Sequence, residues 1–95
     1  MTKAYIIDFL TANKEELKRE FGLTKIGLFG SYAKDKAHKD SDIDIVVQMK
    51  DKNYFKLIEF ENYLKKFFGK KVDVGFLGSM RSYIKESISR DIIYV

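Results

Sequence analysis

Two periods of apolar residues alternate along this chain, and they divide it into predicted helices and strands. Helical spacing occurs first near the N-terminus, at Tyr5, Ile6, Phe9 and Leu10. Asn13 and Glu16 have the spacing of a helix N-cap and its N3 partner, which predicts a second short helix that Gly22 ends. The next apolar run, 25–29, predicts a buried strand, and 31–37 predicts a short helix or turn.

The middle of the chain repeats this order of strand and helix. Residues 42–48 predict a strand that presents Asp42 and Asp44 on the face opposite three aliphatic residues. Residues 53–68 have helical spacing and stop at Gly69. The apolar positions of this helix are Leu57, Phe60, Leu64 and Phe67.

The C-terminal part completes the pattern. Residues 72–76 return to a period of two, with Asp73 on the face opposite Val72 and Val74. A last helix is predicted over about 79–89, followed by an edge strand or packing tail at 92–95. The predicted class is therefore α+β, a small mixed sheet flanked by helices, formed by a single domain that spans 1–95.

Composition narrows the kind of site that this fold can carry. The chain has no Cys, which excludes disulfides, thiolate catalysis and Cys-ligated zinc, so a bound metal would need oxygen ligands. Lys and Arg outnumber Asp and Glu by 18 to 14, and the net charge of +4 favours anionic ligands. No apolar run is long enough to span a membrane and no signal segment is evident, so we expect a cytoplasmic protein.

Carboxylates carry the strongest chemical signal in the sequence. Asp42 and Asp44 lie two residues apart on one face of a strand, roughly 6.5–7 Å along the backbone, where their repulsion favours a bound cation. Mg²⁺ prefers such ligands, and Asp73 is a candidate third carboxylate for a two-metal site. Gly30 and Ser31 form a turn after the first strand whose N–H groups suit a phosphate. Together these residues indicate phosphoryl or nucleotidyl transfer.

Each signal also has a simpler explanation when it is taken alone. Two carboxylates at the start of a strand are often just solvated, and a Gly-Ser pair is often just a turn. Asp73 could be an exposed strand residue paired with Lys70 or Lys71. His38, the sole histidine, lies in a lysine-rich segment and is better explained as a solvated side chain than as a general base.

The order of the motifs resembles a known signature. The chain is similar to the DNA polymerase β-like nucleotidyltransferase superfamily, and in particular to its minimal nucleotidyltransferase (MNT) branch. The resemblance extends from the helix before Lys25 to Tyr94 and implies the polymerase β-like nucleotidyltransferase core. The motifs that carry it are Gly30-Ser31, Ser41-Asp42-Ile43-Asp44 and Asp73.

The resemblance implies a role for each motif. In that superfamily the Gly-Ser pair contacts the triphosphate of a nucleotide, and three carboxylates coordinate two Mg²⁺ ions. The implied catalytic and metal-binding residues are Asp42, Asp44 and Asp73. The implied residues for binding the nucleotide, ATP, are Gly30, Ser31, Lys34 and Ser41.

For minimal members the resemblance also implies a partner. That partner is a HEPN-type ribonuclease toxin, which receives AMP from ATP on a tyrosine in trans, so the chain would be its antitoxin and could form a hetero-oligomer with it. Two alternatives stay open, an antitoxin that acts by binding alone and a stand-alone enzyme that modifies a small molecule. A nucleic-acid partner is the least favoured, because no aromatic and basic platform for a strand is evident.

One departure from the family pattern bears on these alternatives. Family members commonly continue the Gly-Ser motif with Arg-Gly, where this chain has Lys34 and Asp35. Lys34 keeps the positive charge but loses the planar donor of Arg. Asp35 lacks the conformational freedom of Gly. The departure favours the hypothesis of binding alone.

Overall fold

The computed structural model describes residues 1–80, 86 and 89–95. The predicted last helix over 79–89 lies mostly outside the described residues. Of its predicted positions the structure describes Ser79, which ends a 3₁₀ turn, Met80, which is extended, Glu86 and Ser89. The elements follow one another as α1 (Lys3–Phe21), β1 (Leu23–Phe29), α2 (Gly30–Ala33), β2 (Ile43–Met49), α3 (Tyr54–Phe68), β3 (Val72–Phe76), a 3₁₀ turn (Leu77–Ser79) and β4 (Ile93–Tyr94).

The four described strands form one mixed sheet in the order β3-β2-β1-β4. β1 is antiparallel to both β2 and β4, whereas β2 and β3 are parallel and are joined by the helix α3, as a crossover between parallel strands requires. The pairing sets Phe29 opposite Asp44 and Asp44 beside Asp73. The predicted α+β class is confirmed, and the C-terminal residues form the edge strand.

The first helix is continuous, so the predicted break at Asn13 is wrong. Thr2 caps α1 by accepting a hydrogen bond from the Tyr5 N–H at 3.1 Å, and Gly22 ends the helix with a left-handed φ of 69°. Asn13 lies inside α1, where its side-chain amide donates to the Phe9 carbonyl at 2.8 Å. Because that amide binds the preceding turn, the side chain does not cap a new helix.

The third helix follows its prediction with one correction. Asn53 caps α3 and Gly69 ends it in the left-handed conformation. Phe67, one of the apolar positions at helical spacing, is 47% exposed, whereas Phe68 is buried. Phe67 instead stacks on Phe9 of α1, with the ring centroids 3.9 Å apart, so this aromatic pair joins the two helices at the surface.

Helices α1 and α3 pack on one face of the sheet and form the core with it. The helices contribute Ile6, Leu10, Leu17, Phe21, Phe60, Leu64 and Phe68, and the strands contribute Leu23, Ile26, Leu28, Ile43, Ile45, Val47, Val72 and Phe76. Burying each such side chain contributes about 1.5–3 kcal/mol, so packing holds these elements together. No helix in the described ranges is both long and apolar enough for a membrane crossing. Asp44 and Asp73 lie on the other face of the sheet, where β2 also presents the buried Val46.

Candidate active site

Three aspartates lie near the starts of β2 and β3. Asp44 lies on β2 beside Asp73 of β3 in parallel register, and Asp42 directly precedes β2. The neighbours of Asp44 in the strand, Ile43 and Ile45, are fully buried in the core, so strand alternation directs Asp44 to the opposite face. The structure thus places on one face the three carboxylates that the sequence selects.

Asp44 is half-buried between two like charges. Burial raises the pKa of Asp44 to about 6, with further contributions from the carboxylates of Asp73 and then Asp42. A carboxyl group whose pKa is raised in this way lies in a site that lacks a compensating positive charge. A cation bound near Asp44 would favour its ionised form.

The donor set fits a hard divalent cation whose other ligands come from outside the protein. Carboxylate oxygens are preferred ligands of Mg²⁺, which is commonly held by one or two carboxylates together with substrate phosphates. Among the described residues, no three His, Cys, Asp or Glu side chains are grouped closely enough to hold a metal ion. The aspartates therefore suit a metal that arrives with a phosphate-bearing substrate better than a permanently enclosed ion.

Gly30 brings the turn after β1 into contact with Asp44. Its φ of 75° lies in the left-handed region, which glycine adopts without strain. A Cβ atom added at Gly30 would also collide with the Asp44 carboxylate. The left-handed φ therefore favours glycine at this position, and any side chain there would have to displace the Asp44 carboxylate.

The end of α2 explains how this chain accommodates Asp35. The Lys36 N–H donates to the Ser31 carbonyl at 2.9 Å and the Asp35 N–H donates to the Tyr32 carbonyl at 3.3 Å, which is a Schellman motif. Asp35 occupies its left-handed position with a φ of 57°, where glycine is usual. The Lys3 ammonium of α1 pairs with the Asp35 carboxylate at 2.7 Å. This ion pair joins the start of α1 to the end of the Gly-Ser turn.

Lys34 and Ser41, the other predicted nucleotide-binding residues, make polar contacts within the protein. The Lys34 ammonium lies 3.8 Å from the carboxylate of Asp91, a residue that the sequence did not single out. The Ser41 hydroxyl accepts the His38 N–H at 2.9 Å and so shapes the turn before β2. The Nδ1 atom of exposed His38 accepts the Asp40 N–H at 3.3 Å, so the imidazole also stabilises this turn. A nucleotide role for Lys34 and Ser41 stays a prediction.

Comparison with known proteins identifies the family. Residues 10–95 match the Nucleotidyltransferase domain family, so the chain belongs to it. The chain is 40% identical over 96 aligned positions to Protein adenylyltransferase MntA of Thermococcus cleftensis, an alignment that covers 100% of this chain and 97% of that protein. The predicted resemblance to minimal nucleotidyltransferases and the predicted enzyme class are confirmed.

Solved structures share the fold. A chain of a toxin–antitoxin crystal structure with AMP-PNP superposes with a TM-score of 0.72 at 26% identity, and the match covers 99% of this chain and 72% of that one. A second match lies in a complex of the tri-AMPylated Shewanella oneidensis HEPN toxin with MNT antitoxin. Its TM-score is 0.66 at 23% identity, over 92% of this chain and 69% of that one, which is evidence of the fold alone.

Asp44→Asn is expected to stabilise the fold at neutral pH, because it removes a carboxyl group that is costly to ionise. The pKa of Asp44 is about 6 in the folded protein and 3.8 ordinarily. The protonated carboxyl therefore contributes its full stability below pH 3.8, and this contribution is lost as the pH rises through about 6. The gain of the variant over the parent should be small near pH 4 and reach a plateau above about pH 7. Urea unfolding across this range measures it.

The matched control for this experiment is Asp51→Asn. Asp51 is exposed and follows the end of β2, whereas Asp44 lies near the start of that strand. Its substitution should give no comparable gain as the pH rises. A gain for Asp44→Asn that is the same at every pH would show that the pKa of Asp44 is not raised.

Substitutions at Asp35 separate backbone strain from the ion pair with Lys3. Both Asp35→Gly and Asp35→Ala remove the carboxylate, but only Ala keeps the strain of a left-handed residue. We expect Asp35→Ala to lower the free energy of unfolding by about 1 kcal/mol more than Asp35→Gly. Lys3→Met isolates the exposed ion pair and should cost at most about 1 kcal/mol. Equal losses for the two Asp35 variants in urea unfolding would argue against the strain.

Proposed function

We propose that this chain is a Mg²⁺-dependent protein adenylyltransferase that transfers AMP from ATP to a toxin and thereby acts as its antitoxin. The observation that carries the proposal is Asp44, which lies beside Asp73 in the sheet and against the Gly30 turn, in a chain of the Nucleotidyltransferase domain family. Identity of 40% along the whole chain with a protein adenylyltransferase supports AMP as the transferred group and a protein as the acceptor.

The carboxylates would bind metal ions, and the Gly-Ser turn would bind the triphosphate. Asp42, Asp44 and Asp73 would hold two Mg²⁺ ions, which when bound neutralise phosphate charge and lower the pKa of the attacking hydroxyl. Gly30 and Ser31 lie beside them and would orient the triphosphate. The acceptor hydroxyl loses its proton and attacks the α-phosphorus, the bond to the bridging oxygen breaks, and pyrophosphate leaves.

Two further residues are proposed to bind ATP by charge and hydrogen bonding. Lys34 is exposed and its contact with Asp91 at 3.8 Å is loose, so its ammonium is available to a triphosphate. Ser41 lies directly before Asp42 and fixes the turn that leads into the site. Positioning and charge neutralisation by such groups supply most of the catalysis in phosphoryl transfer.

We propose that the acceptor is a tyrosine of a HEPN-type toxin that forms a hetero-oligomer with this chain. A toxin–antitoxin structure with AMP-PNP supports an adenine nucleotide as substrate. The tri-AMPylated HEPN toxin found with MNT antitoxin supports modification of the toxin itself. Because ATP is the proposed donor, we also propose that the protein acts in the cytoplasm.

A second candidate function is neutralisation of the toxin by binding alone. The observation that favours it is Lys34, which lacks the two-pronged donor of the Arg common in the family. The exposed Asp35 adds a negative charge beside the same turn. The two candidates differ in whether the toxin is covalently changed.

Coexpression with a HEPN-type toxin encoded beside this chain distinguishes the candidates. The parent should restore growth and leave the toxin carrying AMP on a tyrosine, as measured by intact-mass and peptide mass spectrometry. The Asp42→Asn, Asp44→Asn double variant should fold but leave the toxin unmodified and toxic. Asp51→Asn, which removes a carboxylate outside the site, should behave like the parent. If the double variant restores growth as well as the parent does, neutralisation by binding alone replaces the proposal.

A further inference from the structure

Glu61 of α3 contacts the outer edge of the strand that carries Asp73. Among the described strands, β3 lies at an edge of the sheet with β2 as its one neighbour. The Val74 N–H donates a hydrogen bond to the Glu61 carboxylate at 3.0 Å. Asp73 directly precedes Val74, so this bond lies one peptide unit from a proposed metal ligand.

The geometry of β3 explains why Val74 has a partner from outside the sheet. The Lys71 carbonyl accepts the Ile43 N–H at 3.0 Å, so the backbone of Lys71 faces β2. Backbone groups of successive strand residues point to alternate sides, so the backbone of Asp73 faces β2 as well and that of Val74 faces outward. An outward N–H on an edge strand is otherwise left to water or to a foreign strand.

Glu61 is itself held in place for this contact. Its second carboxylate oxygen lies 3.0 Å from the Lys65 ammonium one turn further along α3. The adjacent residue Phe60 is fully buried, and so is Leu64, which fixes α3 against the sheet. An ionised acceptor on a rigid helix gives a stronger and better oriented bond than a neutral, mobile one.

We propose that Glu61 is a positioning residue for Asp73. By accepting the outward-facing Val74 N–H it takes the place of a neighbouring strand on that side of β3 and fixes the Asp73 carboxylate beside that of Asp44. The inference rests on the proposed function, in which these two carboxylates share a metal-dependent site. A merely structural role for Glu61 would protect the sheet edge without affecting how metal and nucleotide bind.

Amide hydrogen exchange followed by NMR tests the contact in the free protein. Glu61→Ala removes the acceptor, and we expect the exchange rate of the Val74 amide to rise about tenfold or more. Glu61→Gln keeps an acceptor oxygen and should restore most of the protection. Lys65→Met removes the ion pair but leaves the acceptor, so it should resemble the parent. Should Glu61→Ala fail to fold, Glu61→Met keeps the side-chain length and serves in its place.

Titration with Mn²⁺ in the presence of AMP-PNP tests the positioning role. Paramagnetic broadening of the Asp73 and Gly75 amide signals reports the ion at the carboxylates. Glu61→Ala should need several times more Mn²⁺ for half-maximal broadening, whereas Glu61→Gln and Lys65→Met should titrate like the parent. Thermal unfolding of each variant checks that the fold is retained.

The outcomes separate this inference from the proposed function. Unchanged Val74 exchange in Glu61→Ala overturns the contact, and faster exchange with an unchanged Mn²⁺ titration overturns the positioning role. If the parent shows no broadening by Mn²⁺ with AMP-PNP, the metal-dependent function fails, and the positioning role fails with it.

Discussion

The parallel pairing of β2 with β3 is the constraint on which the site depends. It sets Asp44 beside Asp73, while the antiparallel pairing with β1 sets the Gly30 turn against the same carboxylate. Aliphatic residues on the opposite face of these strands are fully buried, so the core fixes the carboxylates where they repel one another. Burial of Asp44 is the main reason that its pKa is raised, and the carboxylates of Asp73 and Asp42 raise it further.

The repulsion between these carboxylates links folding to ligand binding. Carboxylates that repel in the free protein are stabilised by a ligand that brings positive charge, and a ligand bound only by the folded state stabilises that state. Substrate phosphates and a divalent cation bring matched charges, so they can be bound together more readily than either can alone. The site therefore contributes less to the stability of the free protein than to binding, as is common where function requires unfavourable charge.

The local elements of the site could be predicted from the sequence, but the contacts between distant residues could not. The alternating pattern around Asp44 fixes its strand and its face, because strand periodicity is a local property. The break predicted at Asn13 is wrong because the same side chain can cap a helix or bind the preceding turn. Contacts from Lys3 to Asp35 and from Glu61 to the β3 backbone join residues 32 and 13 positions apart. Only the packing of α1 and α3 on the sheet creates them.

Transfer of labelled phosphate from ATP tests the central claim most directly. The purified chain, Mg²⁺ and the partner toxin would be incubated with ATP labelled at either the α- or the γ-phosphate. Transfer of AMP predicts that the α-label becomes bound to the toxin while the γ-label leaves in pyrophosphate, and that Asp44→Asn abolishes both. Appearance of the γ-label on the toxin, or neutralisation of the toxin with neither label bound, would contradict the account.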